Sequence, residues 1–202
     1  MNAPSCTVAR VGPGAVALSV AESLRCGLTG QIEAIDHAYG PVTLTPGKPP
    51  GPGNAKLYVD ANSSQVQPPD RPAVRVYASR LAMHRRREAN GDGNFRYEAR
   101  YTASVLVSIG AGPNVEGLVE ARDRLALAVR WTLVSTPLVG ATHRLDPDSV
   151  KEAYWPPGPG ENGLIICDGR IDVDVLAVEG PSLPPAGFAS TMEIVFTPMT
   201  EA

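Results

Sequence analysis

The chain has 202 residues, of which 20 are glycine and 20 are proline, about a fifth of the sequence. This share is below the ~25–30% at which disorder becomes the default expectation, and 43% hydrophobic residues are enough for one core. Aromatic residues make up only 5%, so the core is expected to consist mainly of Val, Leu, Ile and Ala. The 18 basic and 21 acidic residues give a net charge of −3, which argues against a dedicated nucleic-acid binder.

The cysteines give no sign of a metal site or a disulfide framework. Cys6, Cys26 and Cys167 are odd in number, far apart and without a CxxC pair. No stretch approaches the ~18 apolar residues that cross a membrane. The N-terminus lacks the charged and apolar regions of a secretory signal. We expect a soluble chain with no membrane contact and no cofactor.

The first predicted element is a helix of about twelve residues, the mean length in globular proteins. Between Gly14 and Arg25, Val16, Val20 and Leu24 form one helical stripe. Gly27 stands where a C-terminal cap is expected, so the helix is predicted to end there.

Residues 36–71 differ in composition from the rest of the chain. The segments 45–54 and 65–72 are proline-rich, and a short strand-like run lies between them at Leu57–Ala61. Proline removes the backbone donors that a central strand needs. We interpret this region as an inserted arm lying on a surface, with a free flexible linker as the alternative.

Two alternating segments predict an antiparallel hairpin. Tyr97–Ile109 alternates apolar with polar residues over its whole length, and Ala73–Leu81 does so over a shorter run. Such alternation indicates a strand with one face on the core and the other wet or in an interface. The turn-rich segment His84–Asn94 between them is predicted to be a long charged tip.

A second helix is predicted after this hairpin. Asn114 is a candidate N-cap, and Pro137 with Gly140 would close the helix. Glu120 and Arg124 form a favourable i, i+4 pair. An apolar stripe runs along the segment: Leu118, Ala121, Leu125, Val129 and Leu133.

Three further strands are predicted at Ser149–Trp155, Leu164–Glu179 and Ser190–Phe196, with a bulge or kink at Gly169 in the second. Strands interrupted by two helices indicate an α+β fold: a mostly antiparallel sheet packed by two helices on one face. We expect a single domain over 1–202, with an inserted arm at 36–71 and a C-terminal extension at 180–202.

No catalytic constellation is present in the sequence. His37, His84 and His143 are scattered, and no nucleophile, zinc or nucleotide motif occurs. The glycine-punctuated start of the first helix near Val11 could bind a phosphate, but a plain turn is favoured.

Two charged clusters are candidate sites. Asp168, Asp172 and Asp174 could form a metal site, but a wet sheet face or contacts to a neighbouring subunit are favoured. Three consecutive arginines, Arg85–Arg87, lie with Arg100 near the predicted hairpin tip. We interpret them as a solvated loop or a subunit contact, with Asp172 and Asp174 as possible acceptors, and DNA contact as the second choice.

The segment in which the long strand runs into the second helix resembles the tail-terminator family of long-tailed bacteriophages. That family commonly shows a strand, then EARDRL…AV…L, then a short LG exit. The matching residues are Glu120, Ala121, Arg122, Asp123, Arg124, Leu125, Ala128, Val129, Leu133 and Gly140. The resemblance spans roughly residues 73–179.

The resemblance implies a structural subunit with no enzymatic activity. Such subunits form a homo-oligomeric ring, hexameric in this family, that stops tail-tube growth and docks the head–tail connector or stopper protein. The implied location is the tail and neck of a virion assembled in the host cytoplasm, with DNA only passing through the lumen.

Three alternatives remain open at this point. The proline-rich arm and the C-terminal segment depart from the compact family pattern and leave room for another neck protein or a minor tail protein. A small metal-dependent enzyme with a site at Asp168, Asp172 and Asp174 is the alternative of another class. An adaptor domain that binds a partner through its prolines is the third.

Overall fold

A computed structural model of the chain describes residues 12–40, 56–59, 71–87, 96–111, 117–136, 138, 143–160 and 163–179. Two helices and six strands are present in these ranges. In chain order they are α1 (Pro13–Tyr39), β1 (Lys56–Val59), β2 (Ala73–Arg87), β3 (Arg96–Ala111), α2 (Leu118–Ser135), β4 (His143–Tyr154), β5 (Gly158–Pro159) and β6 (Ile165–Glu179).

The described strands form one sheet in the order β1-β2-β3-β6-β4, with β5 paired to β6. All pairings are antiparallel except that of β1 with β2, which is parallel. β3 and β6 are adjacent although α2 and β4 separate them in the chain. The predicted α+β class, with two helices on a mostly antiparallel sheet, is confirmed.

The core lies between the two helices and one face of the sheet. Every second residue of β3 and β6 points into it, including the fully buried Val105, Val107 and Ile171. From the helices, Leu24 and Leu125 fill the same layer and are also fully buried. Each such side chain contributes about 1.5–3 kcal/mol by leaving water, so this layer supplies most of the stability.

Helix α1 is more than twice as long as the sequence predicted. It has 27 residues and continues through Gly27, which is not a cap. The apolar stripe goes on beyond that glycine, because Leu28, Ile32 and Ile35 are all buried.

The reason for a glycine at position 27 is the approach of α2. A Cβ atom on Gly27 would lie 2.8 Å from Thr132 Cγ2 and 2.8 Å from Thr136 Oγ1. The glycine therefore marks a helix–helix contact, whereas the sequence alone favoured a helix end.

Helix α2 begins later than predicted. Its N-cap is Gly117, at φ 82°, with no side-chain hydrogen bond, so the assignment of the cap to Asn114 was wrong. A left-handed backbone of this kind costs glycine little, because glycine has no Cβ. Asn114, Pro137 and Gly140 lie outside the described residues.

The predicted hairpin of β2 and β3 is confirmed, but its strands are longer than expected. Arg85, Arg86 and Arg87 belong to β2, opposite Glu98, Tyr97 and Arg96, so they are not part of a loop as predicted. The remainder of the predicted tip, 88–95, lies outside the described residues.

The bulge predicted at Gly169 is absent from the described strand, because β3 and β6 pair through it without a shift. Gly169 is instead a tight contact, where a Cβ atom would lie 2.9 Å from Tyr154 Cδ1 and 3.0 Å from Val107 Cγ2. Register shifts occur elsewhere, in β2 and in β4. The shift in β4 lies between Asp146 and Lys151, where Pro147 offers no N–H to the ladder.

The predicted arm is described only in part. Helix α1 includes residues 36–39, and the strand predicted at Leu57–Ala61 is found as β1, Lys56–Val59. Residues 41–55, 60–70 and 180–202, with the strand predicted at Ser190–Phe196, lie outside the described residues. The division into one domain with an arm and an extension stays a prediction.

The contact at Gly27 can be tested against a matched glycine in the same helix. We expect Gly27→Ala to lower the free energy of unfolding by about 1–2 kcal/mol, since the overpacking against Thr132 exceeds the gain in helix propensity. Gly30→Ala should raise it by about 0.5–1 kcal/mol, because nothing lies within 4 Å of the added Cβ. Urea denaturation of both variants measures this. If Gly27→Ala and Gly30→Ala stabilised the protein equally, Gly27 would not lie in a tight contact with α2.

Candidate assembly face of the sheet

The sheet has one face under the helices and one that no described element covers. Residues that are opposite each other in an antiparallel pair point to the same side, so the register defines the second face. We call it the outer face. Its polar members on the four main strands are Arg75, Tyr77, Glu98, Arg100, Thr102, Ser104, Ser108, Arg144, Asp146, Lys151, Asp168, Arg170, Asp172 and Asp174, and its apolar members include Met83, Leu106, Ala153, Ile166, Leu176 and Val178.

A ladder of hydrogen bonds joins the two central strands on the outer face. Each hydroxyl of β3 donates to the carboxylate directly opposite it on β6. The pairs are Thr102 with Asp174 (2.9 Å), Ser104 with Asp172 (2.6 Å) and Ser108 with Asp168 (2.6 Å). Ser104 and Ser108 are buried although nothing described lies above them. The ladder therefore holds three carboxylates in fixed positions on an otherwise open surface.

Arginines lie among these carboxylates. Arg170 Nη2 is 2.6 Å from Asp172 Oδ2, and Arg100 Nη1 is 3.9 Å from Asp174 Oδ2. Arg71 Nε donates to Ser108 Oγ at 3.0 Å. Within the described part of the chain, one nitrogen of each of these guanidinium groups is buried without a partner: Arg71 Nη1, Arg100 Nε and Arg170 Nε. These three nitrogens lie beneath the surface, close to the carboxylates of the outer face.

The predicted contact residues are brought together only in part. Arg100 and Asp174 meet on the outer face of the same chain. Asp172 is bonded by Ser104 and Arg170, of which the sequence analysis had not selected Arg170. The backbone of Arg85–Arg87 lies at the far end of β2, several residues beyond the carboxylates in the register. Lys151, opposite Asp172 in the register, was also missed.

The three aspartates do not converge as a metal site would require. Asp168, Asp172 and Asp174 occupy separate rows of one strand and are spread over about 20 Å. The residues described hold no group of three or more His, Cys, Asp or Glu side chains that could bind a metal ion.

The glycine-rich start of α1, considered above as a phosphate site, is met by a carboxylate of the chain itself. The backbone N–H of Gly12 donates to Glu179 Oε1 at 3.0 Å. The same oxygen accepts a hydrogen bond from the Tyr101 hydroxyl at 2.7 Å. Burial, together with this bond to Glu179, raises the pKa of Tyr101 to about 12.

At the opposite end of β6, a buried arginine binds the backbone of Trp155 and the ring of Tyr154. Arg122 donates to the carbonyl oxygen of Trp155 at 2.7 Å and lies 3.2 Å from Cys167 Sγ. Its guanidinium group stacks on the ring of Tyr154, 4.8 Å from the centroid. Asp123 balances its charge at 2.6 Å. Burial raises the pKa of the Cys167 thiol. Tyr154 and Trp155 remain largely exposed above this arginine.

Comparisons with known proteins assign no family. The sequence matches no protein-family profile and no curated protein. Among solved structures, the chain is similar to one described as "Virion of native gene transfer agent (GTA) particle", at 17% identity. The match covers 80% of this chain and 98% of that one, with a TM-score of 0.30. A likeness at this level is too weak to assign a fold or a function. None of the described helices is long and apolar enough to cross a membrane.

The raised pKa of Tyr101, caused first by burial and then by the bond to Glu179, predicts a loss of stability at alkaline pH. The folded state holds the phenol neutral up to about pH 12, whereas the unfolded chain ionises it near pH 10. The neutral phenol therefore contributes about 2–3 kcal/mol to the free energy of unfolding. This contribution is fully present below pH 10 and is lost as the pH rises through 12. Urea denaturation between pH 8 and pH 12 should show this slope in the wild type.

The same slope should be smaller in Tyr101→Phe, because this substitution removes the phenol that the folded state holds neutral. If the Tyr101→Phe profile were parallel to that of the wild type, the ionisation of Tyr101 would not be the source of the slope.

Proposed function

We propose that this protein is a structural component of a phage-like virion, and specifically a tail terminator. It assembles as a homo-oligomeric ring, hexameric as in the family that the sequence resembles. The ring caps the tail tube and joins it to the head–neck connector or stopper protein. No catalysed reaction is part of this role. The observation that carries the proposal is the outer face, a surface along the central sheet that none of the described elements covers.

The outer face has the composition of a protein–protein interface. Non-obligate interfaces are about as polar as the rest of a protein surface, so a charged sheet face is no obstacle to association. The half-buried Leu106 and Leu176 supply apolar contact area between the charges. The ladder already restricts the side chains of Asp172 and Asp174, which lowers the entropy lost when a partner orders them.

The charges on this face also set the orientation of a partner. In the register, Arg75 and Arg170 flank Leu106, while Asp172 and Asp174 follow in the next two rows. A basic row next to rows that carry carboxylates favours one alignment of a charged partner and penalises a shift along the strands. We assign Arg100, Asp172 and Asp174 to this contact, with Arg85–Arg87 as contact residues at the far end of β2.

The charged residues of the EARDRL segment have structural partners in the fold. Arg122 is buried beneath Tyr154, as described above. Arg124 donates to the carbonyl oxygens of Tyr39 and Gly40 at the C-terminus of α1, and it pairs with Glu120. These contacts tie the two helices together and give the segment a role in folding. Structural contacts of these charged residues support the resemblance to a family of structural proteins.

The remaining partners follow from the same proposal. The tail-tube protein and the connector or stopper protein would contact the two rims of the ring. A net charge of −3 suits a lumen through which DNA passes without being held. In this role the protein is located in the neck of the virion after assembly in the host cytoplasm.

The first test is the mass of the purified protein in solution. We expect light scattering to give six times the mass of the 21.2 kDa chain, and negative-stain images to show closed rings, alone or with the tail-tube protein. A species that stays monomeric at high concentration, and forms no ring with the tail-tube protein, would contradict the proposal.

The second test places a charge in the middle of the outer face. We expect Leu106→Glu to leave the monomer folded, since Leu106 is only half-buried, but to abolish or strongly weaken the ring because the charge is desolvated on assembly. Val134→Glu, on an exposed position of α2, is the matched control and should assemble normally. Circular dichroism and light scattering measure the two effects. If Leu106→Glu formed rings as well as the wild type does, the outer face would not be part of the interface.

A further inference from the structure

An exposed tryptophan lies on the outer face, at the end of the sheet where β6 begins. The backbone N–H of Trp155 donates to the carbonyl oxygen of Asp168 at 3.2 Å, which continues the ladder of β4 with β6 by one residue beyond Tyr154. Side chains alternate along a strand, so Trp155 lies on the same side as Asp168, the outer face. Trp155 is 43% exposed.

A basic group lies beside this tryptophan. Ala153, two residues before Trp155 and on the same face, is opposite Arg170 in the register. The Arg170 side chain pairs with Asp172 and remains 43% exposed. Tryptophan and arginine are enriched among the few interface residues that supply most of the binding energy. This end of the outer face is therefore well suited to hold a partner.

On the helix side of the same end of the sheet, a groove lies between the C-terminus of α1 and the N-terminus of α2. Its volume is about 820 Å³. We call it the end groove and define it by its apolar lining: Tyr39, Leu118, Val119, Leu127, Pro157 and Ile165. Tyr39 and Val119 are exposed. The described residues therefore leave an apolar recess of the size that binding sites commonly have.

The charged groups of the end groove suit an indole ring. Glu120 and Asp123 line it with side chains that are 58% and 52% exposed, and each carboxylate has acceptor positions beyond the arginine it already pairs with. A buried indole N–H needs such an acceptor. Arg124, also in the lining, has a side chain only 15% exposed and is bound to Glu120 and to the carbonyl oxygen of Gly40. A guanidinium group in this position attracts the face of an aromatic ring.

Trp155 and the end groove lie on opposite faces of the sheet but at the same end of it. The copies in a closed ring are related by rotation about one axis, so two surfaces that meet lie at the same height along that axis. A protruding side chain on one face and a groove on the other, both at one height, allow each copy to contact the next face to back.

We propose that the end groove of one copy receives Trp155 of the next copy in the ring. The indole ring enters the apolar lining, and its N–H donates to a carboxylate of the rim. Arg170 of the same copy meets the exposed carboxylates of Glu120 and Asp123. The contact is heterologous and places the helices of one copy against the outer face of the next. The inference rests on the proposed function, since it names the contact that joins neighbours in the ring.

Truncation of the tryptophan tests the contact. We expect Trp155→Ala to raise the dissociation constant between copies about tenfold or more, because the indole ring supplies much of the apolar area that leaves water. Trp131→Ala is the matched control, since Trp131 is 38% exposed on α2 and outside the lining of the end groove. It should assemble as the wild type does. Sedimentation equilibrium over a dilution series measures both. Equal assembly of the two variants would overturn the proposal.

A change in the groove is the complementary test. Val119→Arg should weaken assembly similarly, because a longer charged side chain occupies the groove, and the exposed position leaves the fold intact. Val134→Arg, at another exposed position of α2, is the control. If Val119→Arg formed rings as well as Val134→Arg does, Trp155 would not enter this groove.

The two variants can also be combined, because each keeps one intact half of the contact. Val119→Arg keeps Trp155, and Trp155→Ala keeps the groove. An equimolar mixture should therefore form mixed dimers that do not close into rings, and native mass spectrometry distinguishes these from monomers and rings. A mixture that contains no mixed dimers would contradict the contact.

The fluorescence of Trp155 reports its surroundings directly. The chain has two tryptophans, so Trp155 is the only one left in Trp131→Phe. We expect its emission to move to shorter wavelength, and quenching by acrylamide to fall, when dilute protein is concentrated into rings. Rings that form while Trp155 keeps the emission and quenching of an exposed indole would overturn the proposal. So would an indole already shielded in dilute monomer, because its own chain would then cover it.

The failure of this contact and the failure of the proposed function give different results. A wild-type ring whose mass is unchanged by Trp155→Ala and by Val119→Arg overturns the docking of Trp155 but leaves the ring intact. A wild-type protein that is monomeric under every condition removes the ring itself.

Discussion

The pairing of β3 with β6 is the constraint on which the rest of the structure depends. It continues from Tyr97 opposite Glu179 to Ala111 opposite Ile165 without a register shift. A slip of one residue would turn every side chain of one strand to the other face. The uninterrupted register therefore creates both surfaces at once: an apolar layer beneath the helices and a polar layer of hydroxyls, carboxylates and guanidinium groups on the open side.

The two ends of this strand pair position the helices. At one end Glu179 binds the N-terminus of α1 and the hydroxyl of Tyr101. At the other end Arg122 joins α2 to the end of β4 and to Cys167 of β6. The helices are thus fixed over one face, and no element of the described residues covers the other. This arrangement is the reason for proposing a structural role.

The faces of the strands were predictable from the sequence, and the contacts between elements were not. Period-two alternation in residues 97–109 and 171–177 identified both faces, because a strand alternates its side chains whatever its neighbour is. The bonds from Ser104 to Asp172 and from Thr102 to Asp174 require β3 to lie beside β6, which no local pattern encodes. Gly27 was misjudged for the same reason: a glycine at a helix contact and a glycine at a helix end look alike until the second helix is placed.

The central claim is that the outer face is covered in the assembled particle. A cryo-electron microscopy reconstruction of the purified oligomer, at a resolution that shows side chains, tests it most directly. We predict that another protein chain lies against Ser104, Leu106 and Asp172 in every copy. A ring in which this face is open to solvent in every copy would contradict it.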